Sequence, residues 1–199
     1  MEIGRVVGSN DQLDYIVQIN GPGDVAKPPR QAERAFGRFV HIPVGNDRLI
    51  GVIYTTQLLN PAYGTLGPRL STEHELPVFS PDYLAETATV VGVMIVGTGH
   101  QSGRAVEYDQ GTPVLAPEVD APVSVLSDSE VVAFHLPEGR LRLAYFPRLL
   151  AHPTPTMPDL LCGILDLVAA AAPSDRPRLA VIRQSIRWRS AIAGSSRGR

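Results

Sequence analysis

Leu49-Ile50-Gly51-Val52-Ile53-Tyr54-Thr55-Thr56-Gln57 is uncharged, rich in β-branched residues and only nine positions long. Such a run is too short for a typical helix and is suited to a pleated strand. Just before it, Gly45-Asn46-Asp47 supplies residues that tolerate positive φ, and Arg38 to Val44 forms another strand-like run. The combination predicts a β-hairpin.

Further such units lie on both sides. Ile3 to Val7 is closed by Gly8-Ser9-Asn10-Asp11, and Tyr15 to Ile19 follows as a second strand. Gly21-Pro22-Gly23 and Lys27-Pro28-Pro29 then interrupt any ladder, because proline lacks the N–H donor. From Leu58 to Glu86, prolines at 61, 68, 77 and 81 predict a long surface connection. Thr87 to Val96 is apolar on both faces, as a central strand requires, and Ala105 to Tyr108 is expected to return beside it. Val123 to Leu126 and Val131 to His135 read as two more strands joined by Ser127-Asp128-Ser129-Glu130, and Leu141 to Phe146 as a final β-like run. About eight short strands with Gly and Pro turns predict a mainly β protein, a small closed Greek-key barrel.

After residue 157 the pattern changes period. Pro158 suits the first position of a helix that places Leu160, Leu161, Ile164, Leu165 and Val168 on one face. A second helix follows Ser174-Asp175 with Leu179, Ile182 and Ile186 on one strip and Val181, Trp188 and Ile192 on another. The expected organisation is a barrel over 1–135, a strand and Pro-rich linker over 136–157, a C-terminal helical hairpin over 158–193, and a tail over 194–199.

Several function classes lose support from composition. The 199 residues carry a formal charge of -2, which gives no reason to expect a general polyanion binder. One cysteine, Cys162, allows no intrachain disulfide, and the opening residues lack a signal-peptide pattern, so a soluble, cytoplasmic protein is expected. The longest helical apolar stretch, Leu160 to Ala172, is broken by Asp166 and falls short of the roughly 20 residues a bilayer span needs.

No complete catalytic motif is found. Gly97-Thr98-Gly99-His100-Gln101-Ser102-Gly103 has five residues between its outer glycines and is followed by Arg104-Ala105, so it lacks the Lys and hydroxyl of a phosphate loop. His41, His74, His100, His135 and His152 are scattered without metal-ligand spacing, and Glu107 and Asp109 have no third group to complete a metal site. No cofactor and no metal are expected. By contrast, Arg176, Arg178, Arg183, Arg187, Arg189, Arg197 and Arg199 occupy a C-terminal stretch with no Asp or Glu. Arg178, Arg183, Arg187 and Arg189 are therefore candidates for contact with a protein partner or with nucleic acid.

Ile3-Gly4-Arg5-Val6-Val7-Gly8-Ser9, the Tyr15 strand, Gly37-Arg38-Phe39-Val40 and Ile50-Gly51-Val52-Ile53 together resemble a HAS barrel, the domain shared by HerA-type DNA translocases and the rotary ATP synthase. Ala88 to Gly97 and Gly111-Thr112-Pro113-Val114 resemble its closing segments. In such a barrel Gly4, Gly8 and Gly51 would serve tight bends and close strand contacts. In HerA-type proteins the barrel precedes a P-loop ATPase, forms part of a ring and contacts the nuclease NurA. No P-loop follows here, so the resemblance implies a non-catalytic binding or assembly module. Its partner would be a HerA-like ATPase or NurA-like nuclease, with homo-oligomerisation open and DNA contact indirect. Two alternatives stand beside it: an enzyme whose site lies on the 58–86 connection, with Tyr63, Glu73, His74 and Glu75 as acid-base groups, and a nucleic-acid-binding barrel.

Overall fold

The structure is a computed structural model that describes residues 1–59, 88–102 and 105–196. Seven strands occupy the first two-thirds: β1 (Glu2–Ser9), β2 (Asp14–Ile19), β3 (Phe39–Val44), β4 (Asp47–Leu59), β5 (Ala88–Ser102), β6 (Ala105–Asp109) and β7 (Pro122–Val125). All pairings are antiparallel, and the sheet order β2-β1-β7-β3-β4-β5-β6 is closed by an additional β2–β5 pairing. Six strands therefore form a closed barrel, and β6 lies outside the ring. The Arg38–Gln57 hairpin expected from the sequence is β3 and β4, joined Val44↔Asp47.

β5 decides the architecture. Along one edge it pairs with β4 from Ala88 to His100. Along the other it pairs first with β2, from Val90 to Met94, and then with β6, from Thr98 to Ser102. Where the two neighbours diverge, the backbone groups of Ile95 are met from elsewhere. Its N–H donates to the Leu13 carbonyl at 2.7 Å, and its carbonyl receives an Arg148 guanidinium N–H at 3.3 Å. A fork in a sheet would otherwise leave buried polar groups unpaired.

Alternation along the strands sorts apolar side chains into two cores. Ile3, Val6, Val17, Val40, Ile42, Leu49, Ile53, Val91, Val93, Ile95 and Val123 fill the barrel. On the outer face, Phe39, Ile50, Val52, Tyr54, Met94 and Val96 are covered by the helices. These are α1 (Asp128–His135), α2 (Phe146–Leu150), α3 (Met157–Ala171) and α4 (Arg176–Ser196). The expected helical hairpin is thus α3 and α4, and it packs on its own barrel. Leu160, Leu161, Ile164, Leu165 and Val168 are all buried, as are Leu179 and Ile186.

Two expected strands are not strands. Val131 to His135 lies in α1, whose start is fixed by a capping box. The Ser127 hydroxyl accepts from the Glu130 N–H, and the Glu130 carboxylate accepts from the Ser127 N–H at 2.9 Å. Satisfying two orphan helix donors outweighs the β propensity of Val131 and Val132. Leu141 to Phe146 pairs with no strand among the described residues; it runs into α2. Gly97 to Ser102 continues β5, and Ser102 pairs with Ala105 at the start of β6.

Candidate partner-binding surface

Of the strand glycines picked out from the sequence, two sit where a side chain would collide. A Cβ on Gly4 would lie 2.0 Å from the Gln18 carbonyl oxygen of the neighbouring strand, and one on Gly51 would lie 2.5 Å from Val93 Cγ1 inside the barrel. Gly8 stands at the β1–β2 bulge, and a Cβ there would meet only Ile16 Cδ1, at 4.0 Å. These glycines shape the barrel wall and expose no functional group.

Three buried polar side chains, Asp14, Gln110 and His135, are held by their neighbours. Asp14, 4% exposed, has both carboxylate oxygens 2.8 Å from the Tyr54 hydroxyl, and one accepts from the Asn10 amide at 2.7 Å. Gln110 donates to the carbonyls of Phe134 and Arg142 and accepts from the Ala144 N–H, all within 3.0 Å. It thereby ties α1 to the extended 140–145 segment. His135 lies 2.8 Å from the Val131 carbonyl through Nδ1 and 2.7 Å from the Tyr145 hydroxyl through Nε2. A carbonyl only accepts, so Nδ1 carries the proton and Nε2 accepts from Tyr145. Burial lowers the His135 pKa to about 4 and raises that of Tyr145, so both stay neutral near pH 7.

A second polar cluster joins α1 to the barrel wall. Arg48 on β4 reaches the Glu130 carboxylate at 2.7 Å and the Tyr108 hydroxyl on β6 at 2.5 Å. Burial pushes the Glu130 pKa up, but the Ser127 N–H and hydroxyl and the Arg48 guanidinium outweigh it and hold the group at about 2. His41 stands nearby on β3, with Nδ1 buried and unbonded; burial, then the Arg48 charge, lowers its pKa. His100 pairs with Asp47 at 3.1 Å on the exposed side. These contacts brace α1 and β6.

Among the described residues no group of three His, Cys, Asp or Glu could hold a metal. No described helix is long and apolar enough to cross a membrane. A cleft of about 930 Å³ at the ends of β2, β4 and β5 is lined by Asn20, Asp24, Arg34, Leu58 and Leu59 among others. Asp24 there is already engaged with the Gly21 N–H at 2.7 Å. Tyr63, Glu73, His74 and Glu75 lie outside the described residues.

The four candidate arginines divide on α4. Arg183 turns inward, pairing with Asp166 on α3 and donating to the Cys162 carbonyl. Arg178, Arg187 and Arg189 are exposed, and none has a carboxylate partner among the described residues. Between them Val181 and Trp188 are 68% and 67% exposed. The helical spacing of Val181 and Trp188 was visible in the sequence; that their strip faces outward required the packing of α3 and α4.

Fold and surface define a closed six-stranded antiparallel β-barrel with a C-terminal helical region and a basic outer helix. The chain belongs to the family described as "Domain of unknown function (DUF8166)", whose model matches residues 1–197. No curated protein matches the sequence.

Proposed function

We propose that this protein is a non-catalytic binding and assembly module on a HAS-type barrel, acting with a HerA-like ATPase or a NurA-like nuclease in DNA processing. The observation that carries the module reading is a contrast within the chain. Three groups able to do acid-base chemistry, the buried Asp14 and His135 and the partly exposed Glu130, are locked to Tyr54, Tyr145 and Arg48. The exposed Arg178, Arg187 and Arg189 of α4 have no carboxylate partner among the described residues, Val181 and Trp188 beside them are exposed, and exposed aromatic and Arg side chains together are typical of interface anchors. The DNA-processing setting is supported by the resemblance of the strand pattern in residues 1–135, and fold alone does not fix function.

The test is affinity capture from native extract with the full chain as bait. Recovery of a motor ATPase or nuclease that is lost with an Arg178→Glu/Arg187→Glu/Arg189→Glu variant supports the reading. Recovery of no DNA-processing factor counts against it. A nucleic-acid-binding barrel would instead retain oligonucleotides with an affinity that falls steeply with salt.

A further inference from the structure

α4 presents a seam. Val181 and Trp188 each follow a buried anchor, Leu179 and Ile186, by two residues, which at about 100° per residue turns them about 200° away from α3. They lie two helical turns apart on the outward face, with uncharged Gln184 and Ser185 between them. Arg178 and Arg189 flank this line on one side and Arg187 on the other, each about a quarter turn away. An apolar line edged by charge is the pattern by which one helix receives another. The edges here are all positive, and residues 176–199 contain no Asp or Glu.

We infer that the outward face of α4 docks an amphipathic helix of a partner protein, with an apolar stripe against Val181 and Trp188 and Asp or Glu residues on its flanks. Such a helix would complete a three-helix layer with α3 and α4. A phosphate backbone would satisfy the arginines but give Val181 no apolar cover. A second copy of α4 would set arginine against arginine. A membrane surface calls for a broader apolar face than a single strip of a helix provides. This inference rests on the binding-module reading and specifies its contact.

Trp188 is the chain's only tryptophan, so its emission reports the surface directly. The full chain is titrated with a synthetic helical peptide carrying a leucine stripe flanked by glutamates. A saturable shift of emission to shorter wavelength, weakened by salt and absent with a lysine-flanked peptide of the same stripe, is expected. Arg178→Glu/Arg187→Glu/Arg189→Glu should weaken the glutamate peptide by about tenfold or more and admit the lysine peptide. Val181→Asp, at a position 68% exposed, should abolish the response to the glutamate peptide while leaving the urea transition in place.

No shift with the glutamate peptide, or equal shifts with both peptides, overturns the proposal. So does a larger response to a 20-nucleotide single strand or to anionic phospholipid vesicles, or a dimer in light scattering that Val181→Asp converts to monomer. Failure here with successful capture of a motor or nuclease would relocate the contact and leave the module reading intact. Peptide binding without such capture would retain the surface and remove the DNA-processing assignment.

Discussion

The Tyr54 hydroxyl lies 2.8 Å from both carboxylate oxygens of Asp14, linking the outer face of β4 to the start of β2, across the strand that closes the barrel. Asp14 is 4% exposed, so this contact replaces much of the hydration that the carboxylate gives up on folding. Tyr54→Phe keeps the ring and leaves the carboxylate with the Asn10 amide as its remaining side-chain donor. The variant should lose about 1–3 kcal/mol, read as a lower urea midpoint at unchanged slope. A midpoint equal to the parent's would show that Asp14 is rehydrated in the native state.

Stability should fall as the solution is acidified from neutrality, in two successive windows. His135 has a folded pKa of about 4 against an ordinary 6.5, so the unfolded chain binds the extra proton first. Its contribution is complete above pH 6.5 and is lost between 6.5 and 4, to a limit of about 3 kcal/mol. His41, also lowered, acts in the same direction. Below that, Glu130 is lost between its ordinary 4.5 and about 2. Urea melts at pH 7 and pH 5 should differ clearly in the parent and by much less in His135→Gln, whose side chain does not titrate.

Arg48 contributes to holding the Glu130 carboxyl low, together with the Ser127 N–H and hydroxyl. In Arg48→Met the Glu130 pKa, followed by carboxyl NMR shifts, should rise toward the normal carboxylate range. Tyr108 loses its 2.5 Å partner in the same variant, so amides of β6 should exchange faster. An unmoved Glu130 titration would mean that the cap alone sets its charge.

The three glycines of the sequence pattern should separate on substitution. Gly4→Ala meets the backbone oxygen of Gln18 and cannot be relieved by a rotamer change; it should cost about 2 kcal/mol or more. Gly51→Ala meets Cγ1 of Val93, a stiff and fully buried β-branched side chain, and should cost about 1–3 kcal/mol. Gly8→Ala should fall within about 0.5 kcal/mol of the parent. Thermal melts resolve the series at about 2–4 °C per kcal/mol for a chain of this size.

The barrel was readable because period-two alternation and turn residues act locally. β3, β4 and the double-sided apolarity of β5 all follow from neighbours in the chain. α1 was misread for an equally local reason: Val131-Val132-Ala133-Phe134 carries β-type residues, and the helix signal was the Ser127-to-Glu130 spacing, which also suits a turn. The exit of β6 from the ring was not legible, since it depends on how far β2 reaches along β5. For the candidate surface, the sequence showed the excess of arginines on α4. Which of them remain outward depended on Asp166, a residue of α3 that only the folded hairpin brings beside Arg183.

Because β5 lends one margin to β2 and then to β6, and one flank to each core, it belongs to both layers of the molecule at once. A fragment ending near residue 135 would keep α1 but lose the cover that α2, α3 and α4 give the outer face of the barrel, and should be sticky in water, whatever the integrity of its ring. The helices are likewise no detachable appendage: barrel and helical layer should melt as one cooperative unit, and their slowest-exchanging amides should cluster along this common strand.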